Sequence, residues 1–406
     1  MGKFIINGGR RLTGEVRVSG SKNAALPIIF ASLITHGVSE IRNLPDISDV
    51  RCALLIAKSF GARISVRDGV AIIDTRALEY VTPPIELVAS LRASTYLIGA
   101  GLVRFGRAEL MPFGGCNFAK RPIDIHLAAA EAFGATVGED NLSALKLYPA
   151  SISLPKKSVG ATVNALIMAA GISGESRIRG YAIEPHILTL IEYLRSAGAM
   201  IEMSGDEVRV VGRELRGGHV SVPGDMIEAG TYLAASLITG GDVSVSGFSP
   251  SELDSFVEPL IHAGVEVKRG SDSMRLSLHP IRAMNIVTAA FPGFPTDLQP
   301  IFAAIMAKFR GGSIRETVWQ GRFGYLAELA KLGVSYSLDA YGAIIHPSKP
   351  TSGIIRATDL RGGAAGILLA LAADGVSEIG SGELVLRGYE RPVEKLTALG
   401  ARISYE

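Results

Sequence analysis

The sequence predicts an α/β protein of two domains, each assembled from three similar repeats, with its most apolar helices on the inside. Three observations carry that prediction. An amphipathic helix that stops at a glycine and runs into a short β-branched strand recurs six times, at "LLIAKSFGARISV", "AAAEAFGATVG", "IEYLRSAGAMIEM", "VEPLIHAGVEVK", "LAELAKLGVSYS" and "VEKLTALGARIS". The stop glycines are Gly61, Gly134, Gly198, Gly264, Gly333 and Gly400, spaced 73, 64, 66, 69 and 67 residues apart. Such a glycine is expected just past a helix, where the backbone needs positive φ, but near-equal spacing over a whole chain marks a repeat. Finally, the 406 residues are 48% hydrophobic and 20% charged, enough for a well-cored protein, and one core stops growing at roughly 250–300 residues. Three repeats per domain is the natural division, with residues 22–223 as one domain and residues 1–21 plus 224–406 as the other.

Taken in order, the N-terminal strand "KFIINGG" precedes the first repeat and is free to pair with either half, or to close the second domain across a crossover. Each repeat opens with a polar cap, at Ser21, Ser90, Ser158, Asp225, Thr296 and Thr358, before a small-residue helix. Such side chains accept bonds from the first free N–H groups of a helix. The helices that follow, among them "AALPIIFASLI", "ATVNALIMAAGI" and "AAGILLALAA", have almost no polar face, the pattern of a buried helix. A turn and a strand come next, as in "GVSEIRNL", "GESRIRGY", "GDVSVSGF", "GGSIRETV" and "GVSEIGSG". A second helix, charged on one face and therefore on the outside, leads to the stop glycine and the closing strand.

Net charge is +2, too small to imply nucleic acid or membrane binding. Two cysteines, Cys52 and Cys116, do not make a disulfide framework. No stretch reaches the ~18 apolar residues of a membrane helix, and the N-terminus has no signal-peptide core, so a soluble cytoplasmic protein is expected. The seven histidines show no metal-binding spacing, and no GxxxxGK[ST] or GxSxG motif occurs. No metal or organic cofactor is implied.

Chemistry is expected at the starts of the buried helices. Lys22 and Asn23 follow the first cap, Arg92 the second, Glu228 the fourth, Asp297 the fifth, and Asp359 with Arg361 the sixth. Helix N-termini carry free N–H groups and partial positive charge, and so favour anions. If three such ends per domain point one way, Lys22, Arg92 and Arg361 make a cationic site for phosphate or carboxylate, which arginine grips as a planar fork. Taken singly, Asp297 and Asp359 read better as ordinary caps; it is the six aligned helix starts that favour the site. Cys116 follows Gly114 and Gly115 and precedes Lys120 and Arg121. Flanking cations lower a thiol's pKa and hold an anionic substrate, and the glycines let the loop move over a ligand. Cys52, in "DVRCALLIAKSFGA", reads as a small core residue.

The motifs "SGSKNAALP", "LRASTYLIG", "GGCNFAKRPIDIH", "FPTDLQP", "ATDLRGG" and "RGYERPVEKL", in that order from residue 3 to the last helix, closely resemble those of the UDP-N-acetylglucosamine enolpyruvyl transferases, the MurA family, whose wider relatives include EPSP synthase. The resemblance implies an enolpyruvyl transferase fold: an inside-out α/β barrel of two domains, each of three βαβαββ-like repeats, with the active site in the interdomain cleft. It implies transfer of the enolpyruvyl group of phosphoenolpyruvate to the 3′-hydroxyl of UDP-N-acetylglucosamine, with release of phosphate, as the first committed step of peptidoglycan synthesis. Cys116 would then protonate the methylene carbon, and Asp297 would deprotonate the sugar hydroxyl. Lys22, Arg121 and Arg391 would hold the phosphate and carboxylate of the donor, and Arg322 and Arg361 would add to that field. Asn23 would bind the sugar, and Arg92, Ser158, Val159 and Gly160 the UDP portion. Asp359 would order the neighbouring arginines. Partners would be these two small molecules.

The chain departs from the family pattern at three places. "EPH", ending at His186, stands where Glu-Pro-Glu is frequent; Lys120 stands where a small residue is common; and "WQGRF", with Gly321, replaces "ENRF". These leave open a paralogue acting on another nucleotide or nucleotide sugar. A shikimate 3-phosphate enzyme would have no need of the loop cysteine. A non-catalytic nucleotide-sugar binder would have no need to keep Lys22, Cys116, Asp297 and Arg391 together.

Overall fold

The structure, a computed structural model of the chain, describes residues 2–115, 122–277 and 282–406. Cys116, Lys120 and Arg121 lie outside the described residues. The chain divides into two compact units. One runs from Gly20 to Gly115 and on to Pro223; the other joins Met1–Ser19 to Gly224–Glu406. Each has its own apolar core.

In both units the helices read as apolar on every face are enclosed. Every residue is buried over 227–238 of helix Met226–Ile238, over 299–307 of Gln299–Lys308 and over 360–371 of Leu360–Ala372. These three helices pack on one another. In the other unit Lys22–Ser32, Leu97–Phe105 and Val159–Gly171 are the enclosed ones, and Leu97–Phe105 touches both companions. An Ala- and Gly-rich helix loses little side-chain entropy on burial and lets backbones approach. Gly99 shows how close: a Cβ there would lie 2.8 Å from Asn164 Oδ1.

Around each helical core lie three small sheets among the described residues. The repeat is clear in the sheet ordered Met200–Ser204, Glu207–Gly212, Gly174–Arg179, Ser151–Ser153. Ser151–Ser153 enters the buried helix Val159–Gly171, and Gly174–Arg179 returns parallel to it, Ile152 opposite Ile178. Helix Pro185–Ser196 follows, with proline in its first turn where the missing N–H costs nothing. Gly198 then ends it at φ 120°, and an antiparallel hairpin completes the sheet. All six stop glycines have positive φ, between 88° and 120°, as the repeat required.

Two strands change places between sheets. The strand before helix Lys22–Ser32 is Thr13–Arg17, yet it pairs in parallel with Asp242–Ser246. The strand before helix Met226–Ile238 is His219–Ser221, and it pairs in parallel with Val38–Arg42. The N-terminal strand Phe4–Asn7 lies antiparallel between Val376–Gly380 and Arg402–Tyr405. It takes the place in the last repeat's sheet that Glu207–Gly212 takes in the sheet above.

The expected caps divide. Ser158 accepts from Ala161 N–H, and Asp225 from Ile227 and Glu228 N–H. Ser21 occupies the cap position without a side-chain bond. In the sixth repeat the cap is Asp359, not Thr358, and its carboxylate accepts from Arg361 and Gly362 N–H. Ser90 is no cap: it ends helix Ile85–Ser90, and a 3-10 segment Arg92–Tyr96 leads into the buried helix. Thr296 likewise opens a 3-10 turn. No helix among the described residues is long and apolar enough to cross a membrane.

Candidate functional site

In the unit built on Gly224–Glu406, two helix starts and the loop before helix Tyr325–Ala330 bring Asp297, Arg322, Asp359 and Arg361 together. Asp297 lies in the 3-10 turn Thr296–Leu298 that opens its helix. Its Oδ1 accepts from Arg322 Nη1 at 3.0 Å, and its Oδ2 from Arg361 Nε at 3.2 Å and Nη2 at 3.1 Å. Both arginine side chains are buried, while the carboxylate keeps 30% of its exposure. Solvent therefore reaches the acceptor side of a clamp whose cations are set into the protein. Asp359 fixes the backbone of Arg361 through the cap, and the guanidinium lies over the Tyr389 ring, 5.3 Å from its centroid. Tyr389 Oη is in turn 2.8 Å from Thr231 Oγ1, on a third helix. Two guanidiniums thus share the one carboxylate that keeps contact with solvent.

Glu316 is the anchor that sequence reasoning missed. It is buried, and Oε1 accepts from Thr288 Oγ1 and from the N–H groups of Val318 and Trp319, while Oε2 accepts from Thr296 Oγ1 at 2.9 Å. It thereby fixes the loop that carries Arg322, whose N–H bonds Trp319 C=O and whose Nη1 reaches Thr296 Oγ1. Its signal was the single acidic residue in "RETVWQGRF", which local pattern cannot distinguish from a surface glutamate.

Arg391 stands in the left-handed region at φ 45°, ψ 50°, immediately before Pro392. Its side chain is 62% exposed, with Glu390 and Glu394 at 3.8 and 3.7 Å. A lone arginine in this conformation is strained, so the structure around it must hold it there.

In the other unit, Lys22 opens helix Lys22–Ser32, and its Nζ lies 2.6 Å from Asp49 Oδ2, both side chains largely buried. Asn23 is half-buried beside it. Pro27, four residues on, has no N–H to give the Asn23 carbonyl, so the first turn carries an unfilled helical acceptor. A separate group forms around helix Val159–Gly171. Ser158 caps it, Val159 and Gly160 form its first turn, and burial lowers the pKa of the nearby Arg92.

His126 joins this group although the sequence did not single it out. A Cβ on Gly160 would lie 2.7 Å from His126 Cε1, so the ring lies flush against the helix start. The ring's tautomer follows from its neighbour. Asn164 Oδ1 accepts from Gly99 N–H at 2.9 Å, and Nδ2 donates to Thr95 C=O at 3.0 Å. With the amide orientation fixed by two backbone groups, Nδ2 donates to His126 Nδ1 at 2.8 Å, and the proton must sit on Nε2. Burial first, then the Arg92 charge, pushes His126 down to about 4, with Asp124 opposing. Beside Arg92 the structure thus keeps a neutral N–H donor.

Among the described residues no group of three or more His, Cys, Asp or Glu could hold a metal ion. His186 lies in the first turn of helix Pro185–Ser196, and Gly321 takes φ 79° in the Arg322 loop, where a Cβ would meet nothing within 4 Å.

Comparison with known proteins gives these arrangements a context. Residues 6–396 match the family described as EPSP synthase (3-phosphoshikimate 1-carboxyvinyltransferase). The chain is 40% identical to UDP-N-acetylglucosamine 1-carboxyvinyltransferase 3 of Caldanaerobacter subterraneus subsp. tengcongensis, with 99% of each chain covered. It is 39% identical to UDP-N-acetylglucosamine 1-carboxyvinyltransferase 2 of Clostridium acetobutylicum, with 100% of each covered. Among solved structures it is similar to the enolpyruvyl transferase NikO from Streptomyces tendae, with a TM-score of 0.89 at 28% identity over 100% of this chain and 98% of that one. An EPSP synthase from Acinetobacter baumannii shares the fold, with a TM-score of 0.72 at 19% identity and 100% of each chain covered.

Proposed function

Since this chain belongs to the EPSP synthase family, we infer that it transfers the enolpyruvyl group of phosphoenolpyruvate to the 3′-hydroxyl of UDP-N-acetylglucosamine, releasing phosphate at the first committed step of peptidoglycan synthesis. The observation that carries the acceptor is full-length identity of 40% and 39% to relatives that bear that enzyme's name. The fold is that of the enolpyruvyl transferases.

The chemistry assigns roles to the residues already described. Adding an alcohol to an enol ether needs a base at the attacking hydroxyl and an acid at the methylene end. In this reading Asp297 takes the proton of the sugar 3′-hydroxyl, its carboxylate oriented by Arg322 and Arg361. The Cys116 thiol gives its proton to the methylene carbon of the donor. The new C–O bond makes a tetrahedral ketal. Loss of a methyl proton and departure of phosphate then restore the double bond. Lys22, Arg121 and Arg391 hold the donor's phosphate and carboxylate, with Arg322 and Arg361 adding charge where the anion develops. Asn23 binds the sugar, and Arg92, Ser158, Val159 and Gly160 take the UDP portion at a helix start. These residues are drawn from both units. The reaction draws on small molecules of the cytoplasm.

A second reading rests on the likeness to NikO and on the departures at His186, Lys120 and Gly321: a paralogue with another nucleotide or nucleotide sugar as acceptor. One assay decides. Phosphate release from phosphoenolpyruvate is measured with UDP-N-acetylglucosamine, other uridine nucleotides and shikimate 3-phosphate in parallel. Turnover with UDP-N-acetylglucosamine alone is expected; preference for a free nucleotide would select the paralogue.

A further inference from the structure

We propose that the buried Glu228–Lys395 pair is the positioning element of Arg391, tying that arginine's left-handed backbone to the segment of chain that ends at Ser19. The proposal rests on the functional reading above for the donor-binding role of Arg391, and on geometry for everything else. Among the described residues the side chain of Arg391 has only loose ion pairs, to Glu390 and Glu394 at 3.8 and 3.7 Å, and these cannot hold a strained backbone. The helix it precedes, Pro392–Ala398, has seven residues, too few to fix itself. Pro392 and Leu396 seat it in the apolar core, but apolar contacts are non-directional and leave its rotation soft.

Lys395 supplies the direction. Its N–H donates to the Arg391 carbonyl at 3.1 Å, so the residue is bonded to the strained position itself. Its Nζ donates to Glu228 Oε1 and to Ser19 Oγ, both at 2.6 Å. Glu228 is 1% exposed, and its other oxygen accepts from Ser19 N–H at 2.8 Å. The Ser19 carbonyl accepts from Asp225 N–H at 2.9 Å. All three polar groups of Ser19 are therefore used, one by the lysine, one by the glutamate and one by the cap of the glutamate's own helix. Any shift of the chain at Ser19 is passed through Lys395 to the backbone of Arg391. Burial raises Glu228 to about 7, with the Lys395 charge opposing. Without the lysine, then, the carboxyl takes a proton rather than remaining as a buried charge.

The test compares Glu228→Gln, Lys395→Met and the double variant with wild type, reading steady-state kinetics and amide hydrogen exchange over residues 388–398. Expected is a KM for phosphoenolpyruvate raised about tenfold, the order a small misplacement of a positioned group produces. The KM for UDP-N-acetylglucosamine stays within about twofold, and the double variant is no worse than either single one, as for residues acting as a unit. Exchange quickens at 388–396 and stays unchanged in helix Leu360–Ala372. Ser19→Ala, which deletes one acceptor and leaves the ion pair, gives a smaller rise at the same residues and serves if the other variants do not fold. Equal increases in both KM values, or unchanged exchange at 388–396, would overturn the proposal. Absence of wild-type turnover with these two substrates would refute the functional reading instead, and the exchange measurement still decides whether the tether holds Arg391.

Discussion

Replacing Asp297 with Asn separates the two jobs assigned to one carboxylate. Asp297 accepts three bonds from two buried guanidiniums. With charge centres about 4 Å apart, each pair is worth about 4 kcal/mol of gross attraction at an effective dielectric near 20. Desolvation of the arginines offsets most of that, and removing one partner of a fully buried pair costs about 3–5 kcal/mol. Because Asp297 keeps 30% exposure, solvent screens part of the loss, and about 1–3 kcal/mol is the reasonable range. That lowers the melting temperature by roughly 2–12 °C at about 2–4 °C per kcal/mol. The chemical cost is larger: loss of a general base slows turnover by about 10²–10⁴, or roughly 2.7–5.4 kcal/mol in the barrier. Donor binding moves the other way, since the variant has one more net positive charge at the clamp. Phosphate-release kinetics at fixed UDP-N-acetylglucosamine should therefore show a collapsed kcat with a KM for phosphoenolpyruvate that does not rise. A kcat within tenfold of wild type, or a KM that climbs as steeply as kcat falls, would refute the base assignment.

Cys116→Ser is expected to lose most turnover while binding UDP-N-acetylglucosamine as wild type does by calorimetry, and to resist the time-dependent inactivation by fosfomycin that a loop thiol permits; full turnover would remove the acid role. His126, with a pKa depressed to about 4, is neutral in the fold where an unfolded histidine binds a proton. Its contribution is complete above about pH 6.5 and is lost as pH falls toward 4, by up to about 3 kcal/mol. Denaturant titrations of wild type and His126→Asn between pH 7 and 4 should diverge accordingly, and parallel curves would contradict the depressed pKa. Gly160→Ala forces a methyl group to within 2.7 Å of the His126 ring, an overpacking worth about 1–3 kcal/mol. It should raise the KM for the nucleotide sugar but not for phosphoenolpyruvate. Glu316→Ala removes the acceptor of the Val318 and Trp319 N–H groups, which are only partly buried, and should cost about 1–3 kcal/mol in all, with faster amide exchange through residues 316–323 as the check.

What could be read in advance was whatever one turn of helix or one strand decides locally. Gly61, Gly134 and their four counterparts declared themselves because only glycine is comfortable at positive φ after a helix. Helix Leu360–Ala372 did so because it has no polar face to offer water. Ser90 misled because a serine before a small-residue run looks like a cap, while the chain spends an extra 3-10 segment, Arg92–Tyr96, before its helix begins. Thr358 misled because two adjacent residues could both cap, and the carboxylate one place later reaches two N–H groups at once. Glu316, His126 and Lys395 were invisible for a different reason. Their roles depend on partners 20, 38 and 167 residues away, and no local period records such a meeting. The clamp at Asp297 lay between the two cases: the acidic residue at a helix start was legible, but its grip by Arg322 and Arg361 belongs to the packing of two helix starts and a loop.

The exchanged strands have a consequence for how the polypeptide comes into being. Among the described residues, 20–223 contain every strand of their own three sheets, so that body can form before residues 224–406 are made. The other unit waits: residues 4–17, made earlier than their partners, must stay unpaired until Asp242–Ser246, Val376–Gly380 and Arg402–Tyr405 arrive to receive them. A fragment spanning 20–223 should accordingly be obtainable alone, whereas 224–406 expressed without residues 2–19 would present two incomplete sheets with bare edges and collect in aggregates. Adding those eighteen residues back as a synthetic peptide should rescue it.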